Sequence, residues 1–152
     1  MDELILNIKQ SLDVAIPNNK IKLDFEELPE NEDAITILGS ESLLHVALSN
    51  IIENACKFSD NKVVNLKILS DSDYILVTIN DEGVGIPEDE LKNIYEPFFR
   101  ASNVRGIEGF GFGLPLAYRI IKMHSGEIRV LSQVNKGTIV KIKLLNKNTY
   151  HS

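Results

Sequence analysis

Asn50-Ile51-Ile52-Glu53-Asn54-Ala55-Cys56-Lys57 is the stretch on which the reading of this chain turns. At about 100° per residue, Asn50, Glu53, Asn54 and Lys57 fall at i, i+3, i+4 and i+7 and share one stripe of a helix. Leu44, Leu48, Ile51, Ile52 and Ala55 cover its other side. A helix divided in this way buries its apolar side against a sheet and turns amides, a carboxylate and an ammonium toward one cleft. Such a set suits a phosphate with its metal ion, with carbonyl and carboxylate oxygens for a hard cation and a lysine for phosphoryl oxygens. A solvated surface helix has polar residues at the same spacing, so the stripe alone leaves both readings open.

Length and composition set the frame. A chain of 152 residues predicts one domain, and folding at this size buries roughly 68–70% of the unfolded surface, enough for a sizeable core. Hydrophobic residues make up 43% and charged residues 25%, as in ordinary soluble globular proteins. The net charge of −6 argues against non-specific nucleic-acid binding, which needs a basic surface, but allows a nucleotide held by local groups. The single cysteine, Cys56, excludes an internal disulfide or a multi-cysteine zinc site and fits a reducing compartment. Its helical phase beside the apolar side predicts a packing role. No run has the length of a membrane helix, and Asp2 and Glu3 stand where a signal peptide has its basic start. The expectation is a soluble, cytoplasmic, monomeric piece with no membrane contact of its own.

Residues 2–16 read as a helix closed by Pro17, with Leu4, Ile5, Ile8, Leu12 and Ala15 on one side. Ile21, Leu23 and Phe25 alternate as a strand, residues 28–33 form an acidic loop, and Ala34 to Leu38 read as a second strand ended by Gly39. Ser40 is placed to cap the helix of the opening stretch, with Glu41 in its first turn. Strands over 62–70 and 73–80 follow, joined by a tight turn at Ser70 to Ser72. Pro87, Glu88, Asp89 and Glu90 begin a short helix that Pro97 stops. From Phe98 to Gly113 there is no usable period, the signature of a mobile loop. A helix over about 112–124, stopped by Gly126, and strands over 127–132 and 137–145 complete the pattern, with Asn146 to Ser152 frayed. Paired neighbouring strands with few crossovers predict a two-layer α/β sandwich, a mixed and mostly antiparallel sheet with helices packed on one face.

Three further stretches carry chemistry. Asp81-Glu82-Gly83-Val84-Gly85-Ile86 comes directly off a strand, so Asp81 has a fixed direction while two glycines let the backbone approach a flat ligand. A carboxylate there can accept the amino group of adenine, whereas guanine presents a carbonyl; a plain turn with an aspartate-to-backbone bond is the other reading. Gly109-Phe110-Gly111-Phe112-Gly113-Leu114 precedes a helix, whose backbone N–H groups and positive end suit phosphates. No strand precedes it and no glycine-lysine-serine/threonine ending follows, which excludes the two common nucleotide loops. Gly137-Thr138 opens the last strand, where the hydroxyl serves either a base or the strand itself.

Taken in this order, the stretches resemble the ATP-binding catalytic domain of sensor histidine kinases, in the superfamily shared by gyrase, Hsp90 and MutL (GHKL). The match runs over about residues 20–145. It includes Asn50 to Phe58, Asp81 to Gly85, Tyr95-Glu96-Pro97-Phe98-Phe99-Arg100, Gly109 to Leu114 and Gly137-Thr138. The segment from Tyr95 to Arg100 tips the resemblance toward the kinases. It implies a single catalytic domain over residues 1–152 with residues 95–109 as an ATP lid, and ATP and Mg²⁺ as cofactors.

The resemblance also implies roles. Asn54 ligates the Mg²⁺, supported by Asn50 and Glu53. Lys57 reaches the phosphate chain, and Phe58 lies near the base. Asp81 selects adenine, with Gly83, Gly85, Ile86 and Thr138 completing that pocket. Gly109, Gly111, Phe112, Gly113 and Leu114 line the phosphates, while Phe98 and Phe99 dock the lid. Glu53, Lys57 and one of Arg100 and Arg105 form the catalytic set, an arginine meeting the γ-phosphate. None of the three histidines, His45, His124 and His151, sits in the family's acceptor pattern. A histidine on a separate dimerisation domain is therefore the implied acceptor, with a response regulator downstream and a parent chain anchored in the inner membrane. An ATP-sensing module without transfer and an anti-sigma-type serine kinase are the alternatives. Ser40 stands where the family often has aspartate, a cap exchange.

Overall fold

The computed structural model describes residues 1–104, 106–109, 111–147 and 149. The order is helix α1 (Asp2–Ala15), strand β1 (Ile21–Asp24), helix α2 (Glu41–Phe58), strands β2 (Val64–Ser70) and β3 (Tyr74–Asp81), helix α3 (Gly113–Met123), and strands β4 (Glu127–Gln133) and β5 (Gly137–Leu145). The strands form one sheet in the order β1-β2-β3-β5-β4. Among the described residues only the β1–β2 pair is parallel; β2–β3, β3–β5 and β4–β5 are antiparallel. The parallel pair exists because α2 connects its strands, since a parallel step needs a crossover that a hairpin cannot supply. This is the expected two-layer sandwich.

Every second residue of the central strands belongs to one apolar face: Val64, Leu66 and Ile68 on β2, Ile75, Val77 and Ile79 on β3, Val140, Ile142 and Leu144 on β5. Against it pack Leu4, Ile5, Ile8 and Leu12 of α1, Leu44, Leu48, Ile51 and Ile52 of α2, and Ala117, Ile120 and Ile121 of α3. Cys56 packs at the border of this core. Burial pushes its thiol up to about 11, so it stays protonated and unreactive near neutral pH. Among the described residues no helix is long and apolar enough to cross a membrane.

The alternation at Ala34 to Leu38 does not become a strand. Glu32–Ile35 is a turn of 3-10 helix whose cap, the Asn31 side chain, accepts the Asp33 N–H, and Thr36 Oγ1 donates to the Glu32 carbonyl at 2.8 Å. These local side-chain bonds satisfy the backbone that a strand would have offered to a neighbour; Ile35 enters the core and Ile37 packs at its edge. The segment after Pro87 is likewise 3-10, over Glu88–Asn93. Nor is the C-terminal segment frayed at Asn146, which is fully buried and donates through Nδ2 to the carbonyls of Asp71 and Ser72 at 2.9 and 2.8 Å.

The stop of α3 is also made differently from the expectation. Ser125 takes the left-handed position (φ 55°), donating to the Lys122 carbonyl, while the Gly126 N–H reaches the Ile121 carbonyl at 2.9 Å. That is the two-bond C-cap in which the left-handed residue is usually glycine. Gly126 is needed for room instead, since a Cβ there would stand 2.7 Å from Leu144 and 2.8 Å from Ile121.

His124 joins the two helices that frame the site. Its Nε2 accepts the Ser40 N–H at 3.1 Å, so Nδ1 carries the proton that goes to the Ile120 carbonyl at 2.8 Å. Ser40 in turn caps α2 through the Leu43 N–H. Replacing His124 with alanine removes both bonds. The expected loss is about 1–2 kcal/mol of stability, seen in a thermal melt as a midpoint lower by roughly 3–6 °C.

Candidate functional site

The polar stripe of α2 opens onto a cleft of about 660 Å³ bounded by the C-terminal end of β3, the turn that follows it, the loop after Pro97 and the start of α3. Its volume lies in the range of small-molecule sites. Asn50, Glu53, Asn54, Lys57 and Phe58 line it from α2, with Asp81, Gly85, Ile86, Thr138, Arg100, Gly109, Gly111, Phe112, Gly113 and Leu114 on the other sides. Residues far apart in sequence thus converge on one cavity.

The sheet places Asp81. It ends β3 on the same face as Ile75, Val77 and Ile79, and the register sets it beside Val64 of β2 and Thr138 of β5. Its side chain is 5% exposed. One oxygen, Oδ1, accepts the Gly83 N–H at 2.9 Å, which leaves the other as an acceptor. Burial pushes the carboxyl up, against the opposing pull of the Gly83 and Thr138 backbone amides.

The turn after Asp81 is held from several sides. Val84 donates its N–H to the Phe58 carbonyl at the end of α2 and its carbonyl accepts the Asn135 N–H at 2.8 Å. Ile86 N–H donates to Ser132 Oγ at 2.8 Å, and that hydroxyl meets Thr138 Oγ1 at the same distance. Gly83 and Gly85 are required sterically. A Cβ at Gly83 would stand 1.8 Å from the Phe58 carbonyl oxygen, and one at Gly85, where φ is +68°, 2.0 Å from that of Gln133. Ser132, which positions both Ile86 and Thr138, has no sequence signal, because a half-buried serine in an edge strand carries no pattern of its own.

On α2 the Asn50 amide donates to the Val46 carbonyl at 2.8 Å, while its Oδ1 lies toward Gly113, 3.0 Å from where a Cβ would be. Lys57 pairs with Glu53 at 2.8 Å, both about two-fifths exposed (37% and 40%). So exposed a pair is weak, which leaves Lys57 able to exchange its partner for another anion. Asn54 lines the cleft, its side chain bonded to none of the described residues. Helix α3 begins after Phe112 without a side-chain cap, so the first N–H groups face the cleft uncapped, and Pro115 in that turn has none to offer.

Phe98 does not line the cleft. At φ +67° and 71% exposed, it turns outward, its ring edge-on to Phe112 at 4.4 Å and its N–H on the Gly111 carbonyl. Phe99, Ala101 and Val104 line the cavity instead. Arg100 donates to the carbonyls of Val104 (3.1 Å) and Ile107, so in this conformation its guanidinium braces the loop. Arg105 and Phe110 lie outside the described residues.

A mixed sheet whose helices frame a cleft lined by a buried aspartate, two asparagines and an uncapped helix start defines an α/β nucleotide-binding domain. Comparison with known proteins agrees and narrows the class. The chain belongs to the histidine kinase-, DNA gyrase B-, and HSP90-like ATPase family, whose profile matches residues 39–148. Sporulation kinase E of Bacillus subtilis is 41% identical over 116 residues, 74% of this chain and 15% of that protein. The sensor histidine kinase RcsC of Escherichia coli K12 is 31% identical over 117 residues, 76% of this chain and 12% of that protein. The chain thus spans a small fraction of these relatives' length. Among solved structures, the mycobacterial sensor histidine kinase MprB superposes with a TM-score of 0.81 at 25% identity, over 96% of this chain and 95% of that one.

Proposed function

We propose that this domain binds Mg·ATP in the cleft and donates the γ-phosphoryl group to a histidine on a separate dimerisation domain. The supporting observation is that Asn54 of α2 and Asp81 of β3 line one cavity that the start of α3 closes. Asp81, with one oxygen already committed to Gly83, offers the other to the adenine amino group; the glycine turn and Thr138 shape the base pocket. The N–H groups at the start of α3 and Lys57 meet the phosphates.

The donor set fits magnesium. Among the described residues no group of three histidine, cysteine or acidic side chains is placed to hold a metal. Amide oxygens with one carboxylate suit an ion that keeps waters and shares phosphate oxygens. Asn54 would hold it, with Asn50 and Glu53 in support; when bound, it neutralises charge on the phosphates. In the transfer an imidazole nitrogen forms a bond to the γ-phosphorus as the bond to the ADP oxygen breaks. The protein's part is positioning and charge, with no covalent intermediate of its own. The loop rooted at Phe98 to Val104 acts as the lid that excludes water, and Arg100 or Arg105 is the arginine for the γ-phosphate.

The test mixes the domain with radiolabelled ATP and either a histidine-bearing dimerisation fragment or a serine-bearing protein antagonist. Acid-labile label on the first is expected. Acid-stable label on the second would assign a serine kinase, and ATP uptake without label on either would assign a sensor.

A further inference from the structure

We propose that Asn103 is a positioning residue that couples the base site to the root of the loop over the phosphates. The inference rests on the nucleotide-binding reading above. Ser102–Val104 is a single turn of 3-10 helix. Ala101 and Val104, three residues apart, are both buried at 8% and 7% exposure and both form part of the cleft wall. Neither belongs to the main core, so the core does not set their position.

What does set it is a short series of polar bonds. Asn103 Nδ2 donates to the Gly85 carbonyl at 2.9 Å, with the Val84 carbonyl at 3.4 Å. Ser102 N–H donates to Glu90 Oε2 at 2.9 Å, and Arg100 joins Val104 to Ile107. The Gly85 side of this contact is held in place, because Asn135 and Ser132 bond the turn from its other flank, at Val84 and Ile86. One side-chain amide therefore ties the turn that carries the base to the wall facing it. A base that seats against Gly85 and Val104 tightens this contact, and the tightening passes through Arg100 into the loop. Asparagine is suited to the task, since its two N–H groups meet two successive carbonyls where aspartate would set oxygen against oxygen.

Amide hydrogen exchange of the 152-residue domain, followed by NMR with and without adenosine, tests the coupling. Adenosine has no phosphate, so any effect on the loop root must come from the base site. In the wild type, adenosine is expected to slow exchange at Gly83 and Ile86 and also at Val104, whose N–H bonds to the Ala101 carbonyl. In Asn103→Ala the slowing at Gly83 and Ile86 persists while that at Val104 is lost, and ATP affinity falls about fivefold, the size of one neutral hydrogen bond. Asn103→Asp, nearly isosteric, behaves in the same direction with a larger loss. Equal slowing at Val104 in the wild type and both variants overturns the coupling and leaves nucleotide binding intact. If adenosine slows no amide of the wild-type turn and ATP is not taken up, nucleotide binding fails and the coupling falls with it.

Discussion

Asp81→Asn should lower the affinity for ATP by about a hundredfold, measured by calorimetry with magnesium present, and leave the fold intact. A carboxylate has two acceptor oxygens. One takes the Gly83 N–H at 2.9 Å, and the other is available to the base amino group. Asparagine has one oxygen and one NH₂, so either the glycine amide or the adenine amine faces a donor. A lost bond to a charged acceptor together with an opposed donor costs roughly 1.5–3 kcal/mol, or about 10- to 150-fold.

The pH dependence of stability separates this role from a structural one. Burial holds the Asp81 carboxyl above the ordinary carboxylate range. A carboxyl raised in the folded state contributes stability that is full below its unfolded pKa and is lost as pH rises through the folded value. At neutral pH the ionised group therefore burdens the fold. The asparagine variant is expected to melt at or above the wild-type temperature at pH 7, with the advantage shrinking as the pH falls toward 4. A variant that melts well below the wild type at pH 7 would make Asp81 a support of the fold.

Asn54→Ala is expected to reduce phosphoryl transfer by about three orders of magnitude, the scale seen when one preorganised electrostatic contact to the reacting group is removed. The residue is half-buried on the cleft side of α2, and alanine is a better helix former, so the melting temperature should hold or rise. Calorimetry with and without magnesium provides a second readout. The wild type gains affinity for ATP when the ion is added, and the variant gains little. Transfer within threefold of the wild type, with the magnesium effect unchanged, would remove Asn54 from the site.

The sheet and the α2 stripe were legible because both rest on period. Alternating apolar residues fixed β2, β3 and β5, and the i, i+3, i+4, i+7 spacing brought Asn50, Glu53, Asn54 and Lys57 to one cleft. The failures share a cause of another kind. Ala34 to Leu38 alternates like a strand, but capping by Asn31 turns the backbone before any pairing. The resemblance implies that Phe98 docks the lid beside Phe99, yet its positive φ and its contact with Phe112 turn it outward, away from the cleft. Ser132 and Asn103 act through single hydrogen bonds to backbone groups distant in sequence. Such contacts leave no periodic trace, and only the folded register reveals them.

The bond from the Phe98 N–H to the Gly111 carbonyl pinches the neck of the intervening segment shut. A Cβ at Gly106 or Gly109 would meet nothing within 4 Å, so the backbone at these glycines has room around it. The entropy of closing such a segment grows only with the logarithm of its length, by roughly 0.6 kcal/mol per doubling. The stretch around Gly106 and Gly109 can therefore change in length at small cost, whereas Phe99, Ala101 and Val104, which wall the cleft, stay bound to its shape.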